Sequence, residues 1–180
     1  MYSRQRRIVG LISAALLLGG SGIAQEPKPS EYQLKAAYLF NFAKFVEWPD
    51  AAFSAPNSPL VIGVIGKNPF GDRLETTVRG KALNGHPLTV REIRAPDEIT
   101  NCHILFISTS EQERLPQILK GLQNAPILTV GEMDHFIESG GMINFVWVDK
   151  TIHFQINDPV AKTAGLKIGS KLLGLATKPH

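Results

Sequence analysis

The stretch Glu31 to Pro49, EYQLKAAYLFNFAKFVEWP, constrains this chain more than any other, because it reads as a helix with no clean polar face. Turning 100° per residue puts Leu34, Tyr38 and Phe45 on one side and Ala36, Leu39, Phe40 and Val46 on the opposite side. A surface helix of a small soluble domain buries one stripe of about 100° or slightly more. The surplus apolar surface therefore needs a core wall, a second subunit or a partner protein to cover it. Half of the aromatic residues lie at this end: Tyr32, Tyr38, Phe40, Phe42, Phe45, Trp48 and Phe53. The spacing predicts a single helix stopped by Pro49, and a core helix and an interaction helix fit it equally well.

What precedes the helix speaks to location. Arg4, Arg6 and Arg7 without an acid, the apolar run Ile8 to Gly20, and the small residues Ser21 to Ala24 form the pattern of a secretory signal peptide. Thirteen apolar residues fall short of the roughly 20 that cross a bilayer as a helix, so cleavage after Ala24 is expected rather than anchoring. The only cysteine is Cys102, so no lipid anchor is expected at the cleavage site. The expected product is a soluble exported protein of one domain, with residues 25–30 a flexible lead, 31–175 the folded unit and 176–180 a tail.

Removing the leader changes the charge. The whole chain has 19 Lys+Arg against 16 Asp+Glu, and three of the arginines leave with the leader, which makes the mature product neutral. Neither nucleic acid nor an anionic membrane is expected to bind a neutral domain by charge, so partners should be recognised by shape and apolar contact. A lone cysteine forms no internal disulfide, and Cys102, just before His103-Ile104-Leu105-Phe106-Ile107, reads as a small buried thiol.

The rest alternates strand and helix. Leu60 to Ile65 is a continuous apolar run of the kind covered on both faces, followed by a short helix over about Phe70 to Thr77. Asn84-Gly85 is a turn signal before a strand over Leu88 to Ile93, in a hairpin or at an edge. His103 to Ile107 is a second buried strand, Glu111 to Gly121 a helix, and Ile127 to Val130 a third strand, with a short helix expected within Gly131 to Ser139. Met142 to Val148 and Thr151 to Ile156, joined by Asp149-Lys150, read as an antiparallel hairpin. A last helix starts at Asp158-Pro159, with Asp158 as its cap. The fold class is α/β: a single-domain layered sheet of mostly parallel strands with antiparallel edge strands, flanked by helices.

Catalytic and metal signatures are missing from the pattern. The loop Gly63 to Gly71 follows a strand, but Val61 and Asn68 occupy the places where a P-loop needs Gly and Ser or Thr. It reads as a tight strand-to-helix turn. His86, His103, His135, His153 and His180 show no zinc spacing, and the mature chain has no Gly-x-Ser-x-Gly elbow. His153 sits on the polar face of its strand. No catalytic residue, metal or cofactor is expected.

Two segments carry a resemblance. Gly141-Met142-Ile143-Asn144-Phe145-Val146, Ile152 to Asn157, Ala161 and Ala164 to Leu173 resemble the YfiR family, and Lys35 to Pro49 resembles that family's other hallmark. The resemblance covers about Tyr32 to Leu175. It implies a small periplasmic α/β protein that is not an enzyme. Such a protein would bind the periplasmic part of a membrane diguanylate cyclase or similar sensor, restrain cyclic-di-GMP output and oppose biofilm formation. It also implies an outer-membrane lipoprotein that sequesters the regulator. The lone Cys102 departs from relatives with paired cysteines.

For such a regulator Phe45, Trp48 and Phe53 are candidate anchors of an interface, with the cyclase or in a homodimer. Lys167, Ser170 and Lys171 are candidates for a partner-facing edge. Asn144 and Asn157 are expected to bond nearby backbone at strand ends, with Ile143, Phe145, Phe154 and Leu166 as core. Two other function classes stay open. One is a periplasmic small-molecule binding module with a pocket at the carboxyl ends of the strands. The other is an exported enzyme with an unfamiliar site.

Overall fold

The structure is a computed structural model that describes residues 30–177, so the expected signal peptide lies outside the described residues. In chain order the elements are α1 (Glu31–Phe45), β1 (Val46–Glu47), β2 (Leu60–Ile65), α2 (Arg73–Val78), β3 (Ala82–Leu83), β4 (His86–Ile93), β5 (Ile104–Ile107), α3 (Leu115–Gly121) and β6 (Leu128–Gly131). These are followed by β7 (Ile143–Val148), β8 (Thr151–Ile156), α4 (Asp158–Thr163), β9 (Lys167–Ile168) and α5 (Ser170–Leu173). Seven strands form one sheet in the order β3-β4-β2-β5-β6-β7-β8, and β1 pairs with β9 in a separate ribbon. The central pairings are parallel and both ends of the sheet are antiparallel, as expected from the sequence.

Period-two alternation sorts the strands into two cores. Ile62, Val64, Ile104, Phe106, Leu128 and Val130 point to the face covered by α1, α2 and α4. Ile65, Leu105 and Ile107 point to the other face, against Leu115, Ile118 and Leu119 of α3. Cys102 is buried on that second face, as its apolar setting suggests. Burial raises its thiol pKa, which the neighbouring Arg91 partly offsets. A Cβ at Gly63 would stand 2.7 Å from the Cys102 sulfur, so the bare glycine makes the room this thiol occupies.

The aromatic helix is shorter than its pattern predicts. Ser30 caps it by accepting a bond from the Gln33 amide, and it ends at Phe45, where Val46 turns extended at φ −107°, ψ 136°. Val46 and Glu47 then pair with Ile168 and Lys167. A β-branched residue three places before a proline gains more from a ladder than from one further helical turn. Within the helix the buried positions Lys35, Ala36, Leu39, Phe42 and Ala43 form an ordinary stripe. Tyr38, Phe40 and Phe45 are half-buried and Leu34 is 39 % exposed. The missing polar face has a simple origin: a lysine lies within the buried stripe and aromatic rings lie along its margins.

Several boundaries differ from expectation. Residues 109–114 form a tight 3-10 turn before α3, which begins only at Leu115, next to Pro116. No helix forms between Gly131 and Ser139, which runs as successive turns. Asn157, not Asp158, caps α4, its side chain accepting from the Val160 amide. Both hairpin turns use two residues with positive φ, Asn84-Gly85 and Asp149-Lys150, which match the twist of the strands they join.

The turn segment after β6 is held by Phe136, fully buried, whose ring lies where Cβ atoms at Gly131 and Gly141 would fall, at 2.5 and 2.1 Å. Substituting Gly141→Ala should therefore destabilise the fold by about 3 kcal/mol. Gly121→Ala, with nothing within 4 Å of the new methyl, should not. Urea unfolding of the two variants checks the contrast.

Candidate functional site

At the carboxyl end of β6 the chain leaves the sheet through Glu132, directly below the first turn of α1. Lys35, only 3 % exposed, extends its ammonium to Glu132, 2.5 Å away, and to Glu31 one turn back on the same helix. The Tyr32 hydroxyl donates to the other oxygen of Glu132 at 3.2 Å. The Lys35 ammonium also lies 4.9 Å from the Tyr32 ring centre and 5.7 Å from that of Phe145. Burying an ammonium costs several kcal/mol unless such partners surround it. Burial first, and then the negative charge of Glu132, push the Tyr32 phenol up to about 12.

These residues wall a cavity of about 190 Å³, completed by Thr109, Val146, Trp147 and Ile152. Ile143, Phe145 and Trp147 share one face of β7, yet only the first two are buried, because the strand runs past the amino end of α1. Trp147 is left 57 % exposed at the cavity wall. The crevice between β2 and β5, where strand order reverses, is the usual site in such sheets. Here it is closed. Gly66 turns at φ +87° against Ser110 and Glu111, and the Lys67 amide donates to the Ser110 hydroxyl at 2.8 Å. The loop resembling a phosphate cradle is thus a tight turn, as read from its spacing, and the opening is displaced towards β6 and β7.

Two asparagines fasten the loop that carries Glu132. Asn144 accepts from the Met133 amide at 3.2 Å and donates to the Met133 carbonyl at 3.0 Å, and Asn157 donates to the Ile137 carbonyl at 3.3 Å. Both bond backbone of this segment, which is distant in sequence, and Asn157 also bonds nearby backbone as the cap of α4. Ile143, Phe145, Phe154 and Leu166 are buried.

The candidate interface residues fall into two groups. Phe45 is half-buried at the end of α1, where its carbonyl accepts from the Gly169 amide at 2.8 Å. A Cβ at Gly169 would stand 3.0 Å from that carbonyl, which explains the glycine. Lys167, Ser170 and Lys171 are exposed immediately beside it, with the Lys167 ammonium 3.9 Å from Glu47. The fold therefore brings the end of α1 beside the segment that carries the three C-terminal candidates. Trp48 and Phe53 are half-buried and engaged within the chain. The Trp48 indole donates to the His103 carbonyl at 3.2 Å, while Phe53 stacks on His86 at 3.8 Å and on His103 at 4.4 Å. Burial lowers the His103 imidazole from its ordinary value, and the neighbouring His86 adds to this. His153 is half-buried opposite Val146. Glu132 and Trp147 were not singled out from the sequence. The alternation of β7 marked the face of Trp147, but nothing local marked Glu132 as the partner of a lysine 97 positions away.

Two outcomes follow from the ion pair. Lys35→Met should lower stability by about 3–5 kcal/mol, because Glu132 is left buried and unpaired. The double variant Lys35→Met/Glu132→Leu should recover most of that loss in denaturant titrations. Because the folded Tyr32 pKa lies above its ordinary 10.0, the neutral phenol supports the fold fully below about pH 10. That support is lost as pH rises from there to about 12, and Tyr32→Phe should flatten this limb of the thermal-stability profile.

Comparison with known proteins agrees with this architecture. A crystal structure of a conserved domain protein from Vibrio cholerae O1 biovar El Tor strain N16961 superimposes with a TM-score of 0.56 at 12 % identity, over 83 % of this chain and 60 % of that one. The ABC domain from Streptococcus pneumoniae, solved in complex with L-Trp, gives a TM-score of 0.48 at 13 % identity, over 66 % of this chain and 54 % of that one. The chain thus spans less than two thirds of either, and the first likeness concerns the fold alone. A family model described as YfiR/HmsC-like matches residues 32–177, from the helix of Lys35 to the last bridge of the sheet at Thr177. The chain belongs to the YfiR/HmsC-like family.

Proposed function

We propose that this protein is a periplasmic, non-enzymatic regulator. It binds the periplasmic part of a membrane diguanylate cyclase, or a related sensor, and restrains it, so lowering cyclic-di-GMP signalling and biofilm formation. The family match over residues 32–177 carries this proposal. The family is one of regulatory domains, consistent with control of cyclic-di-GMP in the periplasm. Among the described residues no helix is long and apolar enough to cross a membrane, which suits a partner-dependent link to one.

The surface that joins the two hallmark segments is the proposed contact. The rim of Phe45 supplies an apolar centre, with the Lys44 ammonium 5.9 Å from its ring, and the exposed Lys167 and Lys171 on the adjoining segment add positive charge. Such a patch suits an acidic partner surface, where rim charges set on-rate and orientation. Trp48 and Phe53 serve it from beneath by fixing the segment that follows β1.

The test is capture of partners by the tagged protein from detergent-solubilised membranes of its own host, identified by mass spectrometry. A membrane diguanylate cyclase with a periplasmic domain is the expected result. The triple variant Lys167→Ala/Ser170→Ala/Lys171→Ala should then bind that partner about tenfold more weakly, a loss of roughly 1.4 kcal/mol, with unchanged Tm. A triple variant of unchanged affinity would remove this surface from the proposal.

The cavity beside Lys35 favours a second, compatible proposal: a small-molecule module whose occupant tunes partner affinity. It lies at the carboxyl ends of β6 and neighbouring strands, the end at which open α/β sheets take ligands.

A further inference from the structure

We propose that the cavity bounded by α1, β6 and β7 is a site for an organic cation, an alkyl-ammonium or guanidinium group with a short apolar stem; this deepens the small-molecule proposal and rests on it. Three charged residues line the cavity, Glu31, Lys35 and Glu132, and they leave one negative charge in excess. The Lys35 ammonium is already enclosed by two carboxylates and two aromatic rings. Glu132 has one oxygen on Lys35 and the other on Tyr32. Glu31 is different. One of its oxygens meets Lys35, the other has no protein partner among the described residues, and its side chain is 36 % exposed at the opening.

Each other ligand class is disfavoured. An anion would enter beside two carboxylates, only one of whose charges Lys35 balances. A neutral apolar group would strip water from the free oxygen of Glu31 without replacing its hydrogen bond, a cost of about 1–3 kcal/mol. A cation supplies that bond and neutralises the excess charge. The remaining walls suit its stem: Phe145, Val146 and Ile152 are apolar, and the exposed indole of Trp147 offers a face for cation–π contact. Size agrees as well. A cavity of about 150 Å³ holds benzene, so 190 Å³ admits a four-carbon stem with its charged head. The group could come from a free metabolite or from a lysine or arginine side chain of the bound partner; the recognising chemistry is shared.

The test uses the purified protein and n-butylguanidinium, followed by the indole N–H resonance of Trp147, with butyrate as the anionic counterpart. Saturable binding with a Kd of about 1 mM is expected for the cation, and none for butyrate. Trp147→Ala, at an exposed position and expected to keep the Tm, and Glu31→Gln, which also removes one carboxylate from Lys35 and is titrated well below its own Tm, should each weaken it about tenfold. No saturation, equal binding of butyrate, or unchanged affinity in Glu31→Gln would overturn the proposal. A second arm separates the two sources. Probe binding that is blocked in the protein–partner complex identifies a partner side chain as the occupant, while probe binding that persists in the complex identifies a free ligand. Because the titration needs no partner, its failure leaves the regulator proposal standing, and failure to capture a cyclase leaves the cation site standing.

Discussion

A lysine ammonium held inside the protein by two carboxylates sets the position of everything around it. Lys35 fixes the first turn of α1 to Glu132 at the carboxyl end of β6, and from that point the helix can lie across the sheet in only one way. Leu39, Phe42 and Ala43 then descend onto the strands, and Phe42 meets Phe145 and Phe154 in a cluster with Tyr38. Hydrophobic residues in place of both Lys35 and Glu132 would pack α1 nearly as firmly but would lose the directional contact that ties its first turn to the end of β6.

The two ends of α1 have different uses. At its amino end a charged cavity opens between aromatic walls, and at its carboxyl end the backbone bonds to Gly169 and continues into the ribbon with β9. Fifteen residues separate them, a rigid rod of about 22 Å. An occupant of the cavity and a partner on the far surface would therefore press on one element, the simplest physical route by which either could sense the other.

The central strands β2, β5 and β6 were plain in the sequence because each is a short, largely apolar run buried on both faces, and a parallel α/β sheet leaves little else for such runs to form. The Asn84-Gly85 turn was legible for a local reason, the ease with which those residues take positive φ, and the Asp149-Lys150 turn because two polar residues separate two strand-like runs. What failed to show was non-local. Val46 leaves the helix because Ile168 awaits it; the segment after Gly131 stays irregular because Phe136 fills the space between two glycines, and Asn144 and Asn157 bond its backbone. The site was legible in part. Phe45 and the C-terminal polar residues were visible as motifs, whereas the pairing of Lys35 with Glu132 and the exposure of Trp147 depend on how far α1 reaches along β7.

The ribbon of β1 and β9 also bears on how the chain comes to be folded. It closes a loop of about 120 residues, whose entropic cost is met only when both ends are present. The helix that covers the sheet is made first in synthesis, yet its last anchor is made nearly last. A chain that crossed a membrane unfolded would expose Phe45 and the end of α1 until β9 emerged on the far side. During that interval the aromatic helix is a target for chaperones and for its own neighbours, so the final thirty or so residues act as a timing element as well as a structural one.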